Sequence, residues 1–129
     1  MFRLVKVLNN NTQYELQALP YTTSTYISSG CALSYSDGKL LHTVASNSPD
    51  FISITASDHD PKKIQVMQIS KDMIFKVEFV GSITPVLGMS VGLSTYKYKM
   101  DAVTYNTNGK GTIVALDDDN KFVYVRFYK

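Results

Sequence analysis

Along residues 73–79 the odd positions Met73, Phe75, Val77 and Phe79 are apolar, while Lys76 and Glu78 interrupt the other face. Residues 122–128 repeat the pattern, with Val123, Val125 and Phe127 on one side and Tyr124, Arg126 and Tyr128 on the other. A period of two marks a strand with one face in a core and the other in water. Phe75, Val77, Phe79, Val123, Val125 and Phe127 are therefore expected to share one core.

Other segments carry the same signature. Residues 2–8 are apolar with two cations, and Asn9-Asn10-Asn11 breaks them, because Asn favours turns. Residues 14–19 form a short strand stopped by Pro20. Residues 21–30 are rich in Ser, Thr and Tyr without apolar period, and read as an ordered arm. Asp37-Gly38 between the apolar runs 31–35 and 39–44 is the strongest short-range hairpin signal. Strands are further expected at 51–56, 64–69, 90–94, 102–106 and 112–116, with turn compositions between them. No stretch sustains a helical period. The expected fold is all-β: a small barrel or sandwich of nine to ten short, mostly antiparallel strands behind a loop-rich N-terminal part. It is read as one domain over 1–129, with two lobes, 1–57 and 64–129, as the open alternative and the polar turn 57–63 between them. Gly30-Cys31-Ala32-Leu33 and Gly88-Met89-Ser90-Val91 each lead into a strand, an echo too weak in sequence to count as a repeat.

Composition changes this picture little. At 129 residues with 44% hydrophobic positions, the chain suffices for one domain with a real core. Charged residues are only 19%, and the remainder of the surface is neutral and polar with nine tyrosines, which suits contact with another protein as well as it suits strands. The net charge of +2 is not concentrated in a basic run, so nucleic acid is not an expected partner. No window approaches a membrane span, and residues 1–6 lack the apolar stretch of a signal peptide, so synthesis in the cytoplasm is expected. Cys31 is alone and reads as a buried structural thiol.

Candidate chemistry is sparse. Asp58-His59-Asp60 reads as a solvated turn, and His42 as strand packing. Asp117-Asp118-Asp119-Asn120 lacks the central glycine and the distal glutamate of a calcium loop. Gly109-Lys110-Gly111-Thr112 is followed by a strand instead of the helix that a phosphate loop requires. Neither Cys31 nor any serine has a recognisable base and orienting group. No catalytic residue, metal or cofactor is expected, and the chain is read as not an enzyme.

The glycine-led hairpin at Gly30–Leu40, Phe51-Ile52-Ser53, the segment 64–79, Leu87-Gly88-Met89, Asp101-Ala102-Val103-Thr104 and the closing Val123-Tyr124-Val125-Arg126-Phe127 together resemble the decoration or cement proteins of tailed-bacteriophage capsids. The resemblance covers residues 30–129 and rests on layout. It implies a virion structural protein, made in the host cytoplasm, that binds the outside of an assembled head and stabilises it. Its partner would be the lattice of major capsid protein, with self-association as a dimer or trimer on that lattice. Segments 1–8 and 21–29 are then the candidate contact arms, with Phe2, Arg3, Leu4, Tyr21, Tyr26, Tyr96 and Tyr98 as contact residues. Two rival functions stand beside it. A tail or head-fibre adhesin would stack glycans on Tyr96, Tyr98 or Tyr105, and a small inhibitor would block a host protein.

Overall fold

The computed structural model describes residues 1–8, 16–22, 26–44, 47–94, 101–119 and 121–128. These contain 11 strands and no helix: β1 (Arg3–Val7), β2 (Leu16–Pro20), β3 (Ala32–Ser36), β4 (Lys39–His42), β5 (Phe51–Ser53), β6 (Lys63–Gln68), β7 (Met73–Phe79), β8 (Ser90–Leu93), β9 (Ala102–Tyr105), β10 (Gly111–Leu116) and β11 (Phe122–Phe127). The all-β reading holds, with one strand more than the upper expectation.

The strands form two sheets. In the first the order is β2-β6-β5-β3-β4, and in the second β1-β7-β11-β10-β8-β9. The second closes on itself, because β7 also pairs in parallel with β9 through Glu78↔Ala102 and Phe79↔Val103. The result is a five-stranded barrel of β7, β11, β10, β8 and β9, with β1 laid along the remaining edge of β7. The first sheet closes more narrowly, through a parallel bridge from Tyr21 to Leu40 and a 3.0 Å bond from the Thr22 N–H to the Leu40 carbonyl. Closure removes sheet edges that would otherwise invite pairing with other chains.

Alternation decides what each barrel encloses. Tyr21, Ile27, Leu33, Leu40, Phe51, Ile64 and Val66 fill the first. The six residues expected to share a core do so in the second, joined by Val91, Val103 and Ile113. The outer residues Ala32, Ile52, Met67 and Ile69 of the first barrel belong to that same larger core, so the two barrels are packed together. The passage between them is residues 69–72. The turn at 57–63, expected between two lobes, instead joins β5 to β6, both of which pair inside the first sheet.

At the Asp37-Gly38 turn both residues have positive φ, 53° and 77°, the backbone that a two-residue hairpin loop demands. In β1 the alternation is broken. The register shifts between Leu4 and Lys6, a bulge that turns Val5 outward and lets both Leu4 and Val7 pack on the core.

Candidate interaction surface

Of the expected contact residues, Arg3 and Tyr26 are exposed, Tyr26 by 59%. Leu4 is half-buried against the core. Phe2 and Tyr21 are not surface residues. Phe2 is 3% exposed and sits against Phe75 (ring centroids 6.2 Å, 90°) and Phe127 (5.7 Å, 48°), with its N–H on the Gly30 carbonyl at 2.8 Å. Its ring therefore belongs to the core beneath the first barrel, and it offers nothing to a partner. Tyr21 fills the first barrel, and its hydroxyl lies 2.9 Å and 2.8 Å from the carbonyls of Ser57 and Asp60, holding the 57–60 turn. Tyr96 and Tyr98 lie outside the described residues. Tyr105 is exposed at the end of β9.

The acidic turns hold themselves. The Asp60 carboxylate accepts the N–H groups of Lys62 at 2.7 Å and Lys63 at 3.2 Å, which keep it below the ordinary carboxylate range. Asp117 accepts the Asp118 N–H at 2.9 Å and pairs with Lys76 at 3.3 Å, and is lowered for those reasons in that order. Among the described residues no three His, Cys, Asp or Glu side chains gather as a metal site. Cys31 is buried, its N–H on the Ser53 hydroxyl at 2.9 Å and its sulfur 3.1 Å from the Ser28 hydroxyl. Burial pushes its thiol up, away from the reactive thiolate.

Gly81, Pro85 and Gly88 mark the loop between β7 and β8 in the sequence, but its apolar side chains were not among the expected contact residues. Residues 81–88 expose Ile83 (49%), Val86 (53%) and Leu87 (63%) around a buried Pro85. Both roots of this loop are fixed. The Val80 N–H bonds the Val103 carbonyl at 2.9 Å, and Gly88 donates to Ile113 at 2.9 Å with a φ of 83°. The loop thus holds three aliphatic side chains out in water. The signal in the sequence was the apolar content of Ile83, Val86 and Leu87 inside a loop punctuated by Gly81, Pro85 and Gly88. Thr22 and Gly30 are held in the same way, Thr22 donating to the Leu40 carbonyl at 3.0 Å and Gly30 to Ser53 at 2.7 Å with a φ of 77°, and Tyr26 is exposed.

A third surface lies along β7 and β11. The Lys76 ammonium sits 5.4 Å from the Phe122 ring centroid and 5.8 Å from that of Tyr124, while it pairs with Asp117. Its charge is thus satisfied within the chain. No family model, curated protein or solved structure matches this chain.

Proposed function

We propose that this protein is a virion structural protein that binds the outer surface of an assembled capsid and stabilises it there. The observation that carries the reading is the pinned β7–β8 loop with Ile83, Val86 and Leu87 outward, apolar surface that burial against another protein would take out of water. The exposed Tyr26 and the resemblance read from the sequence at residues 30–129 support it. Tyr26 gives wide contact area at small entropy cost. A protein of this kind needs no reaction. It stabilises a shell by mass action when it prefers the assembled form, and contacts to neighbouring subunits add avidity.

Co-sedimentation with undecorated, expanded heads tests this. The protein should saturate heads, bind free major capsid protein poorly, and raise the temperature at which heads lose their genome. Replacing Ile83, Val86 and Leu87 together by Ser should weaken head binding by at least about tenfold, or roughly 1.4 kcal/mol, without changing the melting temperature of the free protein. Equal binding to heads and unassembled subunits would remove the lattice-specific mechanism. Location at a tail tip would favour the adhesin.

A further inference from the structure

The two barrels have the same wiring. Taken in chain order, the strands of the first are β2, β3, β4, β5 and β6, and those of the second are β7, β8, β9, β10 and β11. In each, the first strand pairs with the fifth, the fifth with the fourth, the fourth with the second, and the second with the third. In each, the third strand returns to the first in parallel, and every other pairing is antiparallel.

The registers agree as well. Leu33 opposite Phe51 matches Val91 opposite Gly111. Val66 opposite Ser53 matches Val125 opposite Ile113. Leu19 opposite Ile64 matches Val77 opposite Val123, and Leu33 opposite His42 matches Val91 opposite Tyr105. The closing contacts, Tyr21 to Leu40 and Phe79 to Val103, fall on the same equivalences. So do the bonds outside the ladders. Thr22 to Leu40 matches Val80 to Val103, Gly30 to Ser53 matches Gly88 to Ile113, and Ser53 to Cys31 matches Ile113 to Met89. Thr43 to Ala32 matches Asn106 to Ser90, and Ile69 to Asp50 matches Tyr128 to Lys110. Strand order alone recurs by chance. Register is different, because each pairing has alternatives that flip or shift every side chain. Agreement of all of them, with a positive-φ glycine at the same place in both barrels, is the mark of one unit used twice.

The equivalences also explain the junction. Ala32, Ile52, Met67 and Ile69 face out of the first barrel and share a core with Phe2, Phe75 and Phe127. Their counterparts on the second barrel are Ser90, Thr112, Arg126 and Tyr128, of which none belongs to that core and Tyr128 is 60% exposed. At the receiving end, Phe75 and Phe127 correspond to Gln17 and Gln68 of the first barrel. Apolar residues stand where the stack is covered, and polar ones where it ends, as in the terminal units of repeat arrays. Two different surfaces meet, so the contact is head to tail and would continue indefinitely if its ends were not altered.

We infer that the chain is a tandem duplication of one five-stranded barrel, stacked head to tail, and that polar residues on its two outward ends stop the stack at two. The inference is independent of the capsid reading.

Two variants test it, each first shown to keep the parent's circular dichroism. One carries Ser90→Ala and Thr112→Ile on the outward face, leaving Arg126 on the Lys71 carbonyl and Asp72, and the other Gln17→Phe and Gln68→Phe on the receiving end. By sedimentation velocity, each alone should run like the parent protein. An equimolar mixture should double in mass, to about twice the single chain. Self-association of either variant alone, or no association on mixing, would overturn the head-to-tail junction. Hydrogen exchange on the unaltered protein tests the duplication without substitution. The Thr22 and Gly30 amides should be protected together with Val80 and Gly88. Free exchange of the first pair beside protection of the second would mean that the first sheet does not close as the second does.

Discussion

Replacing Phe2 by Ala separates a core residue from a contact residue. Phe2 is 3% exposed, meets the rings of Phe75 and Phe127, and lies where the first barrel's Ile52 and Met67 cover the second. Truncating a buried phenylalanine costs about 3–5 kcal/mol, from lost transfer energy and from the cavity left behind. Two features set where in that range it should fall. The neighbours are aromatic rings and β-strands of a closed barrel, which collapse poorly into a void, and this favours the upper part. Against that, Phe2 precedes a strand paired on one side only among the described strands, so β1 can detach, and the loss cannot exceed the free energy that holds β1 in place. A loss of about 3 kcal/mol is expected, or roughly 10 °C in melting temperature for a domain of this size. Phe2→Leu should cost about 1 kcal/mol, because most of the apolar volume remains. Urea titration followed by circular dichroism reads both. A loss below about 1 kcal/mol for Phe2→Ala, together with abolished head binding, would refute the core placement and return Phe2 to the surface.

Substitutions at four other sites probe separate parts of the structure. A Cβ at Gly109 would come within 2.2 Å of the Val91 carbonyl oxygen, which is backbone and cannot swing aside, so Gly109→Ala should cost more than about 2 kcal/mol in the same titration. At Gly88 nothing lies within 4 Å of an added Cβ, and only the φ of 83° is strained, so Gly88→Ala should cost about 1 kcal/mol; a larger loss than at Gly109 would reverse the reasoning. Tyr21→Phe removes the hydroxyl shared between the Ser57 and Asp60 carbonyls and should cost about 1 kcal/mol while the ring keeps its place, whereas Tyr21→Ala should cost several times more. Burial holds the His42 imidazole below its ordinary pKa, so folding favours the neutral form. Stability is then full above the unfolded value of about 6.5 and falls as the pH drops through and below it, because the unfolded chain takes up the proton first. His42→Gln should flatten the melting temperature between about pH 7 and 5, and an unchanged slope would place the titration elsewhere.

Strands were legible because half-buried sheets write their period directly into the sequence. Met73–Phe79 and Phe122–Phe127 show the alternation in full, and both form as read. The Asp37-Gly38 hairpin was legible for a different reason, since few residues accept two successive positive φ values. The role of Phe2 was not legible. A short run near the start of the chain with cations at Arg3 and Lys6 resembles a free arm, and the bulge that sends both Leu4 and Val7 inward leaves no trace in a period-two pattern.

The repeated barrel was hidden by the same physics that built it. A barrel interior asks for apolar volume and not for particular residues, so Leu19 and Val77, Leu33 and Val91, or Ile64 and Val123 serve equally. The outer faces diverged further, since one set became a buried junction and the other remained in water. Connections differ too: Asp37-Gly38 joins β3 to β4, while a longer segment joins β8 to β9. What no substitution can imitate cheaply is a left-handed backbone, and that constraint survived as Gly30 and Gly88. The faint echo in the sequence was therefore the one place where backbone geometry dictated identity. Every other equivalence fixed only which face a residue lay on, and became visible once register was known.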